Sequence, residues 1–337
     1  MQRPFSAHDA WALLGGIVAL AVAWRLSDVL LLTFAGLLVA LALHVLSAPL
    51  HRRLGLPPRV ALVLVILAAL LLLVLGTWLA GAAVAEHVQV LRDTLPRALK
   101  ALHDWLGTHT PGRWLLATWE AARLAPDDLG RLAGAATGTL NATVGLLGGL
   151  LLLGVLGIYL AADPDTYRRG LLRLLPPQAR PQAERTLDAA GHDLTRWLMG
   201  QAVSMGTVAV LTGGGLALAG LPLALSLGII AGVLDFVPYL GPVVSGVLIV
   251  AVALTEGESQ ALWALGICVA VQQAEAYLVQ PLVQRWAVRL PPVLGLLAVL
   301  VFGLLFGVAG VLLAVPLMVL ATTIVQQWSS PALAPGE

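Results

Sequence analysis

Runs of mostly apolar residues, many of them near the length that crosses a lipid bilayer, recur along the whole chain. They leave a water-soluble fold little room. A spanning helix needs about 20 such residues. The stretches 10–24, 29–46, 60–85, 137–162, 197–219 and 261–279 are of that order. Shorter apolar runs lie at 223–237, 243–254, 293–306 and 310–327. Only 11% of the 337 residues are charged, against roughly 25% in a soluble domain. The expected fold is all-α: a polytopic membrane protein with about eight transmembrane helices. Its C-terminal half should contain broken or re-entrant helices.

Charge marks the divisions. Residues 1–85 read as N-terminal transmembrane helices, with run 10–24 retained as a membrane segment rather than cleaved. Residues 86–136 mix six bases with six acids. Val88, Leu91, Leu95, Leu99, Leu102 and Leu106 recur there at helical spacing. Trp105, Trp114 and Trp119 add rings suited to a membrane–water boundary. This is an amphipathic extramembrane helical insert. Residues 137–196 supply a fourth transmembrane helix and a basic cytoplasmic segment. Residues 197–328 form the C-terminal core, and 329–337 a disordered tail.

Lysine and arginine near membrane ends set orientation. The loop with Arg52, Arg53 and Arg59, the stretch 168–180, and the loop with Arg285 and Arg289 should be cytoplasmic. The 86–134 segment and the acidic turn 255–259 should lie outside. Both termini then lie inside. A net charge of +1 argues against nucleic acid as a partner. The single cysteine, Cys268, permits no disulfide within the chain and reads as a packing residue.

The core is organised around Asp235-Phe236-Val237-Pro238-Tyr239-Leu240-Gly241-Pro242. Pro238, Gly241 and Pro242 break an otherwise apolar helical pattern. A broken helix at membrane depth is tolerable only where it is buried in protein or lines a wet cavity. With an ionisable residue beside it, such a break points to a transport site. The eight residues 231–238 recur at 309–316 with six identities, ending in Pro316. This echo suggests a second broken element, with Leu313 in place of Asp235. Gly213-Gly214-Gly215 lacks the Lys-Ser/Thr of a phosphate loop and reads as close helix packing or a flexible point.

The seven histidines show no metal-ligand spacing, and no nucleophile or dinucleotide motif occurs in context. No catalytic residue, metal or cofactor is expected. Asp235 and Glu275 are the informative acids, each in an apolar run without a nearby base. A carboxyl there must be protonated, paired, solvated or bound to a cation. Gln272 stands three residues before Glu275, and a stripe of Gln272, Glu275 and Tyr277 would face the protein interior. Tyr239 adds a further polar group. The alternative is structural: Asp235 caps a half-helix, and Glu275 pairs with Arg285 or Arg289. Those two arginines serve as orientation signals or as an anion site.

Pro238-Tyr239-Leu240-Gly241-Pro242 resembles the signature of the AI-2E family of bacterial membrane transporters. Gln272-Gln273-Ala274-Glu275 through Gln280-Pro281 resembles that family's glutamate-bearing helix ending in proline. Leu290-Pro291-Pro292-Val293 and residues 306–317 are similar to its C-terminal pattern. Ala276, Leu282 and Pro291 depart from the residues common there. The resemblance implies an oligomeric permease, a pentamer in the family pattern, with members linked to export of autoinducer-2 and others to sodium/proton antiport. The expected partners are the lipid bilayer, a small polar solute, and a proton or sodium ion. A non-transporting membrane scaffold acting through 86–136 is the reading from a different class.

Overall fold

The computed structural model describes residues 24–79, 140–284 and 291–329, together with 97, 100, 101, 103–105, 107 and 108. Much of the 86–136 insert, the run 10–24 except Trp24, the 285–290 loop with Arg285 and Arg289, and most of the expected tail lie outside the described residues. The elements are α1 (Ser27–Leu54), α2 (Pro58–Leu79), α3 (Leu140–Ala162), α4 (Pro164–Arg173), α5 (Arg180–Leu218), α6 (Ala224–Leu234), α7 (Leu240–Leu254), α8 (Glu258–Ala274), a π turn (Glu275–Val279), α9 (Gln280–Gln284) and α10 (Pro292–Ser329). No strand occurs among the described residues.

The all-helical expectation holds; the count of about eight does not follow. Among the described residues, four helices are long and apolar enough to cross a membrane, or five if the bent α3–α4 pair is taken as one span. The 223–254 region divides into α6 and α7 of 11 and 15 residues. These are about 16 and 22 Å long, short of the ~30 Å hydrocarbon layer.

Lipid tails are as apolar as leucine, so helices in a bilayer associate by close packing of small residues. Two glycine contacts show this. A Cβ on Gly228 of α6 would fall 2.5 Å from Gly213 Cα of α5. A Cβ on Gly157 of α3 would fall 2.5 Å from Val39 Cγ1 of α1. Gly215 is pressed against Ile267 of α8. The glycine triplet is therefore a packing surface.

α5 is 39 residues, about 58 Å, and much longer than a bilayer core. Pro181 lies in its first turn, where a missing N–H costs nothing. The polar stretch before Trp197 and the apolar run after it are one helix, so the 196/197 division falls inside α5. The end carrying α4 is fastened to α5 by Arg168, which bonds Glu184 at 3.1 Å and Asp188 at 2.8 Å. At the same end, Gln182 donates to Gln327 O at 2.5 Å and Thr323 to Asp193 at 2.8 Å. Asp163 feels the charges of both Arg169 and Arg59. Arg59, α4, the start of α5 and the end of α10 thus gather at one end of the described structure. At another contact, Trp105 Nε1 donates to Glu258 Oε1 at 3.1 Å, joining the insert to the start of α8.

α10 also breaks, but not at Pro316. Gly307 adopts φ 61°, ψ −141°, and Pro316 stays within the helix, fully buried. Ala298 and Val299 share a packed cluster with Ala314. A straight helix would set 298 and 314 about 24 Å apart, so the chain folds back near 307. A Cβ on Gly310 would collide with Phe302 O. The reason is conformational: a fold-back needs positive φ, which glycine takes freely, while a proline in a membrane helix is accommodated by its neighbours. The 231–238 and 309–316 echo therefore does not align the two breaks. Its first copy runs into a turn and its second follows one.

Candidate functional site: two acids at a broken helix

α6 ends at Asp235, whose backbone N–H bonds Ala231 O at 2.9 Å. The chain then leaves helical geometry until Leu240. Leu240 N donates to Pro238 O at 2.9 Å across Tyr239, which has φ 69°, ψ −47°. This is the γ-turn of positive φ, rare and strained for a residue with a side chain. Such strain collects at functional sites and persists where the surroundings impose it. The surroundings here are tight: a Cβ on Gly241 would overlap Leu234 O, and would lie 2.9 Å from Asp235 Cα. Pro242 falls in the first turn of α7, where it is tolerated. Pro238 and Gly241 thus lie in and beside the break, as expected, and Pro242 opens the second half-helix.

A break frees backbone carbonyls, and α5 satisfies one of them. Gln201 Nε2 donates to Asp235 O at 2.7 Å. One turn along α5, Ser204 Oγ donates to Glu275 Oε1 at 2.6 Å. Glu275 opens the π turn, where Gln280 N–H bonds Glu275 O five residues back. Pro281 explains this widening: it has no N–H for the next bond and its ring crowds the carbonyl four residues earlier.

Asp235 is 3% exposed and Glu275 9%. Their charges reach one another, and Ser204 stands beside both. Asp235 Oδ2 is buried without a hydrogen-bond partner. Two carboxyls in a poorly hydrated site repel when both are ionised, and a proton or a cation removes that repulsion.

A cavity of about 800 Å³ opens onto this pair. α5 contributes Trp197, Gln201 and Ser204; the break and α7 contribute Asp235, Pro238, Tyr239 and Pro242; α8 and the π turn contribute Gln272, Gln273 and Glu275. Asp235, Glu275, Gln272 and Tyr239 therefore line one space. Tyr277 does not join them, being 73% exposed. Gln273, which α-helical spacing puts on another face from Glu275, does line the cavity. Glu275 has Ser204 as a partner; Arg285 and Arg289, the alternative partners read from the sequence, lie outside the described residues. Among the described residues, no lysine or arginine lines the cavity. Among the described residues, no three His, Cys, Asp or Glu side chains gather as metal ligands.

Both folded-back turns reach the same support. Trp197 packs edge-on against Phe236 at 5.8 Å. Their cluster includes Leu313, Val315 and Val319 of α10, with Phe306 against it. Gln201, Ser204 and Trp197 are the site residues that sequence reading missed. The only local signal is a polar pair one turn apart in an apolar run.

Several known proteins are similar to this chain in sequence. A Mycobacterium tuberculosis protein provisionally named a transport protein is 45% identical over 34% of this chain and 31% of its own length. A Bacillus subtilis protein of similar name, YueF, is 29% identical over 47% of this chain and 43% of its own. In these matches the chain spans less than half the length of either relative. An Escherichia coli K12 protein provisionally named permease PerM is 28% identical over 99% of this chain and 97% of its own. The sequence pattern described as AI-2E family transporter matches residues 13–330, a stretch that holds both chain reversals and the acid pair, and the protein belongs to that family.

Proposed function

We propose that this multi-pass membrane protein moves a small polar solute such as autoinducer-2 across the bacterial inner membrane, in the direction of export. Asp235 and Glu275 bind the coupling proton or cation, or a hydroxyl of the solute. Gln272 and Tyr239 orient the solute in the cavity. The observation that carries this reading is the buried, unpartnered Oδ2 of Asp235 beside Glu275 at a helix break. A transport site built this way keeps an acceptor vacant for what it carries.

The whole chain would cross or re-enter the bilayer about eight times, with both termini cytoplasmic, and assemble as a homo-oligomer. It would be a carrier, not an enzyme. The same acid pair supports a second reading, sodium/proton antiport. A scaffold acting through 86–136 has no need of buried acids at a helix break.

Proteoliposomes containing the full chain test this. They are loaded with autoinducer-2 and a panel of small polyols and sugars, with and without a pH gradient. Pyranine reports proton movement under a sodium gradient. Flux of a solute supports the first reading; sodium-driven proton movement alone supports the second. Neither, from protein that is folded and inserted, contradicts both.

A further inference from the structure

α4 leaves α3 at an angle of 85°. A helix turned that far from a spanning one runs along the bilayer surface. Asp163 caps its start, accepting from Thr166 N at 3.3 Å, and Pro164 opens it.

Its faces differ in chemistry. Tyr167, Leu171 and Leu174, spaced four and three apart, form one stripe and are 46%, 53% and 83% exposed. Arg168 lies on another face, with its guanidinium held by Glu184 and Asp188 of α5. Arg169 and Arg173, four apart, form a third face and are exposed. Arg169 Nε donates to Asp165 O at 3.1 Å and its Nη2 reaches Thr166 Oγ1 at 3.5 Å. Among the described residues no ion pair engages either arginine. The acids Asp163 and Asp165 belong to the first turn, at the opposite end of the helix from Arg173. Arg59 adds its charge near Asp163.

We propose that α4 is an interfacial helix. It seats Tyr167, Leu171 and Leu174 in the bilayer and holds anionic phospholipid headgroups with Arg169 and Arg173. The occupant is lipid because α4 follows after one residue on α3, an apolar helix that itself exposes Leu151, Val155 and Tyr159. Arg169 and Arg173, exposed and in no ion pair among the described residues, supply charge complementary to an anionic leaflet. Arg168 fastens α4 to α5, the helix that carries Gln201 and Ser204, so this lipid contact is joined to the cavity through one ion-pair cluster.

Two measurements on the full chain in phosphatidylcholine–phosphatidylglycerol bilayers test it. In a Cys268→Ala background, nitroxides at Leu171→Cys and Asp165→Cys are compared for access to oxygen and to a nickel chelate. The Leu171 label should be oxygen-accessible and shielded from nickel, and the Asp165 label the reverse. Native mass spectrometry then reads the preference for retained phosphatidylglycerol over phosphatidylcholine. Arg169→Gln and Arg173→Gln should each lower it about fivefold. A Leu171 label as open to nickel as that at Asp165 overturns the proposal. So does a phosphatidylglycerol preference unchanged in the double variant.

Discussion

Ser204 on α5 donates a 2.6 Å hydrogen bond to Glu275, the residue at which α8 widens into a π turn. This bond ties a 39-residue helix to the π turn of its neighbour, and Asp235 stands beside it. Hydrogen bonds to charged groups contribute about 1.5–3 kcal/mol. Ser204→Ala should therefore weaken solute or cation binding about tenfold or more, with the fold intact. Binding isotherms of the purified protein against sodium and autoinducer-2 check this, and Ser204→Thr should restore most of the loss.

The reversal at Gly241 has no room for a methyl group. Gly241→Ala forces the Leu234 carbonyl to move, and overpacking of this kind costs about 1–3 kcal/mol or more. The variant should melt several degrees lower in detergent and lose flux. Gly246 lies in the following helix with open space around it. Gly246→Ala should leave the melting temperature unchanged or raise it, since alanine is the better helix former by about 1 kcal/mol.

Gly228 and Gly213 set how closely α6 approaches α5. Gly228→Leu should drive them apart and move Asp235 away from Glu275. A fall in thermal stability with loss of flux is expected. Gly206→Ala on α5, where a methyl group meets nothing within 4 Å, is the control.

Tyr239 holds its strained turn while its ring lies against Gly295 of α10, 3.3 Å from the position of a Cβ there. Tyr239→Phe keeps the ring and removes the hydroxyl. Solute affinity should fall about fivefold, the share of one ordinary hydrogen bond, with the melting temperature lowered by no more than about a few degrees. A melting curve and a binding isotherm on the same sample separate the two.

Asp163 carries a pH dependence. The Thr166 hydroxyl holds its carboxyl below the usual range, with further help from the Thr166 N–H, Arg169 and Arg59, against a lesser opposing effect of burial. A carboxyl with a depressed folded pKa stabilises fully above its unfolded value, here 3.8, and loses that contribution as pH falls through the folded value. A nitroxide at Leu171→Cys should become more mobile below about pH 3.8 in the Asp163 protein. In Asp163→Ala it should be mobile throughout.

The sequence disclosed what local physics decides. Membrane-length apolar runs, the break at Pro238 and Gly241, and two acids without nearby bases were all readable, because each is a property of a short stretch. The partners were not. Gln201 and Ser204 look like ordinary polar residues until folding sets them against Asp235 and Glu275, 34 and 71 residues away. Pro316 drew attention as a helix breaker, yet the reversal falls at Gly307, because positive φ rather than a missing N–H is what a fold-back requires. The arginines from 180 to 196 read as a basic segment separate from the apolar run after it, whereas both belong to one helix, α5.

The central claim is that Asp235 and Glu275 act together on what the cavity carries. It is tested most directly by flux through Asp235→Asn and Glu275→Gln proteins in proteoliposomes, with autoinducer-2 efflux and pyranine-reported proton movement recorded from the same vesicles. The account predicts that each substitution lowers flux at least a hundredfold, or abolishes its response to a pH or sodium gradient, with reconstitution and melting temperature preserved. Unchanged flux and unchanged gradient response in both variants would contradict it.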